Sequence, residues 1–81
     1  MTLLPEMTPV TSSNIHSVGH DGAALYVRFL GPDGPGALYR YSTAGGELKT
    51  GILTADSAGR YYHRVIKGQH VGELVVEEPP E

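Results

Sequence analysis

Ala23-Ala-Leu-Tyr-Val-Arg-Phe-Leu30 decides how this chain folds. Leu25, Val27 and Phe29 alternate with Tyr26 and Arg28, the period of a strand with one face on a core and one toward solvent. Just before it, Asp21-Gly22 is a tight-turn dipeptide. Further back, Asn14-Ile-His-Ser-Val-Gly-His20 predicts another strand, with Ile15 and Val18 as its apolar residues. Ser12, Ser13 and Asn14 at its head are residues whose side chains bond nearby backbone. On the other side, Gly31-Pro-Asp-Gly-Pro-Gly36 holds prolines and glycines throughout and reads as a loop. Ala37-Leu-Tyr-Arg-Tyr41 resumes as a short strand. Three consecutive strands with short links predict an antiparallel meander.

If the second and third strands alternate in phase, Leu25, Val27 and Phe29 share the core face with Tyr39 and Tyr41. Tyr26, Arg28 and Arg40 then share the outer face. The Tyr-x-Tyr rings would fill the core beneath the helices, which a sheet this small needs. The competing reading makes them exposed stacking platforms.

Beyond the meander the period changes. Ser42 and Thr43 are good N-cap residues. Ala44, Leu48, Ile52 and Ala55 then fall on one helix stripe. Gly45, Gly46 and Gly51 weaken this helix by about 1 kcal/mol each relative to alanine, so it depends on tertiary packing. A second helix is predicted from Ser57 to Gly68, capped by Asp56 or Ser57 and ended by Gly68. Ala58, Tyr62, Val65 and Ile66 face its core side. Arg60, Arg64 and Lys67, at i, i+4 and i+7, form a basic stripe opposite. Val71–Val76 predicts a final short strand. The expectation is a small α+β domain over residues 10–76. A three-stranded antiparallel meander is followed by two short helices packed on one face, with an optional short C-terminal strand. Residues 1–9 read as a mobile lead-in and 77–81 as an acidic, proline-rich tail.

The chain has 81 residues and a net charge of −3, one small domain's worth. It has no cysteine, which excludes a disulfide framework and a thiolate metal site. No run approaches a membrane span, and Met1-Thr-Leu-Leu-Pro-Glu6 lacks the features of a signal peptide. A soluble cytoplasmic protein is expected. The charge is uneven: residues 57–70 carry Arg60, Arg64 and Lys67 and no acid, while residues 71–81 are acidic. A basic segment within an acidic chain suggests a local anion-binding surface.

Three pieces of the sequence together resemble the KTSC domain family, named for a lysyl-tRNA synthetase C-terminal appendage. Ser13-Asn-Ile-His-Ser-Val-Gly-His-Asp21 is similar to the family's opening motif. Tyr39-Arg40-Tyr41 is similar to its central Tyr-x-Tyr. Ser57-Ala-Gly-Arg-Tyr-Tyr-His-Arg-Val-Ile66 is similar to its closing segment. The resemblance runs from about Val10 to Val71. The chain departs from the pattern at His20, where tyrosine is usual, at His63, where asparagine is common, and in a longer Gly31–Gly36 connection. The family includes stand-alone bacterial and phage-type proteins, and the resemblance implies a fold and an RNA-binding role.

The first functional expectation is thus a non-catalytic module for RNA or single-stranded nucleic acid. Arg60, Arg64 and Lys67 would hold phosphates. Tyr61 would stack on an unpaired base, with Arg28, Arg40 and Tyr26 extending the patch. Set against this, many helix surfaces carry three charges with no ligand. The alternative is a protein-interaction or accessory protein, phage-type included, with no nucleic-acid ligand, whose basic stripe meets an acidic partner. No cofactor and no metal are expected, because His16, His20, His63 and His70 match no zinc spacing. No enzyme is expected either. Ser12 and Ser13 near His16, His20 and Asp21 lack a nucleophile elbow or oxyanion loop, and Gly31–Gly36 lacks a phosphate loop's lysine.

Overall fold

The structure, a computed structural model, describes residues 5–42 and 44–75. Its strands are β1 (Thr8–Pro9), β2 (Ile15–His20), β3 (Leu25–Gly31), β4 (Gly34–Tyr41) and β5 (Glu73–Leu74), in one five-stranded sheet of order β1-β2-β3-β4-β5. Every neighbouring pair is antiparallel. The α+β expectation holds, and the three central strands are the predicted meander. At one edge β5 is the short C-terminal strand expected within Val71–Val76, and at the other the structure adds β1. Thr8–Pro9 pairs with Val18 and Ser17, so the end of the expected lead-in is part of the sheet. Residues 1–4, Thr43 and residues 76–81, with the expected acidic tail, lie outside the described residues.

The two central turns form differently. Asp21 closes the first, its Oδ1 accepting from the Ala23 and Ala24 N–H groups at 2.8 Å each, while Gly22 takes φ 94°. The second corrects the sequence reading. Gly31–Gly36 is mostly strand: β3 runs to Gly31, β4 starts at Gly34, and Leu30 pairs with Pro35. Only Pro32 and Asp33 turn. Pro35 is tolerated because it lies near the strand start and beyond the reach of β5, which pairs only with Tyr39 and Arg40. The register shifts between Arg28 and Leu30, and Arg28 Nη1 donates to the Gly36 carbonyl at 2.9 Å. A side chain at Gly36 would strike the Gly31 backbone, 2.9 Å from a Cβ.

Helices α1 (Gly46–Thr54) and α2 (Ala58–Tyr61) follow, and a π-helical turn (Tyr62–Ile66) continues α2. The cap of α1 is Gly45, with no side-chain hydrogen bond, rather than Ser42; Thr43 is not among the described residues. Of the two expected caps, Asp56 and Ser57, it is Ser57 that caps α2, accepting from the Arg60 N–H at 3.3 Å. Gly68 ends the π turn at φ 92°. The Lys67 N–H reaches back to the Tyr62 carbonyl at 2.8 Å, a five-residue step.

The main core lies between sheet and helices: Ile15, Val18, Leu25, Val27 and Tyr41 meet Ala44, Leu48, Ile52, Ala58 and Ile66. The in-phase reading is correct, with Val27 opposite Tyr39, Leu25 opposite Tyr41 and Tyr26 opposite Arg40. The other face of the sheet has its own small core of Ala24, Tyr26 and Leu38, against which Met7 and Val75 pack. Gly19 makes room there, since a Cβ would lie 2.8 Å from the Glu6 carbonyl and the Met7 sulfur. No helix among the described residues is long and apolar enough to cross a membrane.

Candidate functional site

The head of β2 and the second helical segment form facing walls of a groove. On the β2 side, Ser12 Oγ accepts from the Asn14 and Ile15 N–H groups at 3.1 and 3.2 Å, so the serine cluster shapes a turn. The Leu30 N–H bonds the Asn14 carbonyl at 2.8 Å, tying that turn to β3. On the helical side Gly59 lets the walls approach: a Cβ there would sit 3.0 Å from Asn14 Nδ2. One open cavity of about 650 Å³ is lined by Ser12, Ser13, Asn14, Asp56, Arg60, His63 and Arg64. A second, of about 500 Å³, is lined by Phe29, Leu30, Tyr39, Tyr41, Tyr62 and Lys67. Ser13, Asn14 and His63 line both, so the two cavities lie side by side along the groove.

The aromatic end is held rigidly. Tyr41 and Tyr62 share a hydrogen bond of 2.6 Å between their hydroxyls. Phe29 meets Tyr62 and Tyr39 edge-on, with centroids 5.2 and 5.8 Å apart. His63 packs its ring against Tyr62 at 5.6 Å. Burial pushes the Tyr41 phenol above its ordinary pKa, and its bond to Tyr62 adds to the shift.

The expected site residues divide. Arg60 and Arg64 are exposed and share the first cavity. Lys67 is exposed at the second. The predicted straight stripe is therefore split, because the π turn is wider than an α turn and Lys67 already has extended backbone, ψ 123°. Tyr61 is not in the groove. The hydroxyl end of its half-buried ring lies directly against Gly51 of α1, where a Cβ would collide with it, so it stands apart from the three cations. Tyr26 is corrected too: it is 4% exposed, beneath Met7 and Val75, and cannot stack on a ligand. Arg28 and Arg40 alternate with the core-facing residues of their strands, so the sheet separates them from the helical cations. Arg28 bonds its own hairpin, and Arg40 stands between Tyr26 and Glu73 in the register.

Sequence reasoning missed His63, Asn14 and Ser13 as groove walls. Their signal was their place in the opening and closing motifs. Reading Tyr39 and Tyr41 as core is correct: Tyr41 is buried in it and half-buried Tyr39 packs against it, and both also line the second cavity. His20 is structural: the Gly22 N–H donates to Nδ1 at 3.0 Å, so Nε2 carries the proton that bonds the Ala44 carbonyl at 3.0 Å. His16 Nδ1 meets Ser17 Oγ at 3.0 Å, but Ser17 is buried, so that contact offers no open nucleophile. Among the described residues, no group of three or more histidines and carboxylates could hold a metal.

The KTSC domain pattern matches residues 11–70, which hold both walls of the groove. The chain belongs to the KTSC domain family. An uncharacterized protein of Stutzerimonas stutzeri strain A1501 is 41% identical over 61 residues, spanning 73% of this chain and 80% of that one. A protein of Tsukamurella paurometabola is 38% identical over 63 residues, or 75% of this chain and 88% of the other. The crystal structure of a KTSC domain protein from Yersinia pestis superposes with a TM-score of 0.75 at 28% identity, covering 90% of this chain and 100% of that one. The KTSC fold is thus this sheet with its paired helices, and the groove lies between its opening and closing motifs.

Proposed function

We propose that this KTSC domain is a non-catalytic module that binds RNA or single-stranded nucleic acid along the groove between β2 and the second helical segment. The observation that carries the reading is the adjacency of the two cavities, which share Ser13, Asn14 and His63. Arg60 and Arg64 line one end, Lys67 stands at the other, and rings line the wall beside it. Arginine forks suit phosphate oxygens, and aromatic walls beside cations suit unpaired bases. Three cations make few phosphate contacts, so binding would be weak and strongly salt-dependent.

Fluorescence anisotropy with a short labelled oligoribonucleotide tests this reading. Binding is expected at about 50 mM salt and should be largely lost by about 200 mM. The double charge reversal Arg60→Glu/Arg64→Glu should abolish it. Unchanged binding by that variant would sink the proposal.

A second reading, a protein-interaction module, is favoured by the exposure of Val71 and Leu74, 82% and 59%, around the edge strand β5. The basic groove would then face an acidic partner. Pull-downs with and without nuclease separate the readings: a specific partner that survives digestion supports this one, and loss of all capture supports the first.

A further inference from the structure

We propose that Phe29, Tyr39 and Tyr62, with Lys67 beside them, form a seat for one unpaired base, whose flanking phosphates lie at Arg60 and Arg64. This inference rests on the nucleic-acid reading and assigns separate work to the two ends of the groove. The first cavity is lined by hydroxyl, amide and guanidinium groups together with the Asp56 carboxylate, which the two arginines outnumber, and the second mainly by rings. A nucleotide is divided the same way, with a charged phosphate joined to a flat apolar base. Ser13, Asn14 and His63, common to both cavities, would lie under the sugar that links them.

The rings are arranged for the task. Phe29 stands at 77° to Tyr39 and 79° to Tyr62, so a base lying along one ring face meets the edge of another. Tyr62 is clamped between its hydroxyl bond to Tyr41 and its ring contacts, so little side-chain freedom is lost on binding. The cavity of about 500 Å³ lies within the range of small-ligand sites. Lys67 offers only donors, which suits the carbonyl and ring-nitrogen acceptors of a base edge. A duplex keeps its bases paired and stacked, so the seat selects single strands.

Anisotropy at about 50 mM salt compares four labelled probes of equal length: oligouridylate, oligothymidylate, an abasic ribose-phosphate strand and an RNA duplex. The wild-type protein should bind the abasic strand and the duplex about tenfold more weakly than at least one base-bearing single strand. Tyr39→Leu keeps apolar bulk but removes the ring. It should lose about the same factor on the base-bearing strand and almost nothing on the abasic one. Equal wild-type affinity for abasic and base-bearing strands overturns the seat and leaves phosphate binding standing. So does equal weakening of both by a Tyr39→Leu protein whose circular dichroism matches the wild type. No binding of any probe overturns the nucleic-acid reading and the seat together. The wild-type comparison needs no variant, so a misfolded Tyr39→Leu would not protect the proposal.

Discussion

The hydroxyl of Tyr41 lies 2.6 Å from that of Tyr62, in a setting almost closed to solvent on the Tyr41 side. Removing it should cost about 1 kcal/mol, a typical value for a lost hydrogen bond. Burial raises its folded-state pKa above the unfolded value. The neutral, bonded phenol therefore stabilises fully below about pH 10, and that contribution fades as pH rises past it. Urea midpoints should fall on raising the pH from about 9 to 11, and fall less steeply in Tyr41→Phe. Asp21 works in the opposite direction. The N–H groups of Ala24 and Ala23 hold its carboxyl below the usual carboxylate range, with a smaller contribution from Arg40. Its contribution is present above the ordinary aspartate value and is lost as pH falls through the lower folded one. Asp21→Asn keeps an acceptor for the turn without the titrating charge, so the acid side of its stability profile should flatten. Turn chemistry was legible here because Asp-Gly acts within a few residues. The tyrosine pair was not, because its members are 21 positions apart and meet only across the core.

Helix α1 shows how tertiary contact overrides propensity. Gly51 in its interior is unfavourable by about 1 kcal/mol relative to alanine, yet the Tyr61 ring occupies the space a Cβ would need. Gly51→Ala should therefore destabilise the protein by about 1–2 kcal/mol in urea titrations, as overpacking does. In a Tyr61→Ala background the same substitution should turn stabilising, and the cycle measures the collision. The sequence marked Gly51 as a weakness and Tyr61 as a surface ring; each reading missed the other residue. The Gly31–Gly36 stretch teaches the same lesson about strands. Its composition argues for a loop, but pairing with β3 and the absence of β5 alongside let Pro35 join the sheet. The basic stripe was derived from α-helical spacing, and the π turn after Tyr61 moved Lys67 to a different cavity from Arg60 and Arg64.

The whole molecule is a sheet packed on both faces. Leu38 and Ile52 are each almost fully buried, one in the outer layer and one under the helices. Truncating either to alanine should cost about 2–5 kcal/mol, comparable to the roughly 3–5 kcal/mol that so small a core supplies. Circular dichroism should find both variants largely unfolded near physiological temperature. A Leu38→Ala protein with a near-wild-type midpoint would mean the outer layer is only a loose cover. The sequence by itself determined the central meander, its phase, a cap at Asp56 or Ser57 and the helical core stripe. Those rest on period and turn chemistry, which act over a few residues. It also marked Arg60 and Arg64 as the concentrated charge. Only the tertiary structure decided that Met7 and Val75 cover Tyr26, and that the sheet parts Arg28 and Arg40 from the helical cations. It alone joined Ser13, Asn14, His63 and Tyr39 into the groove. Those outcomes depend on which distant segments share a face, and local periodicity carries no record of that.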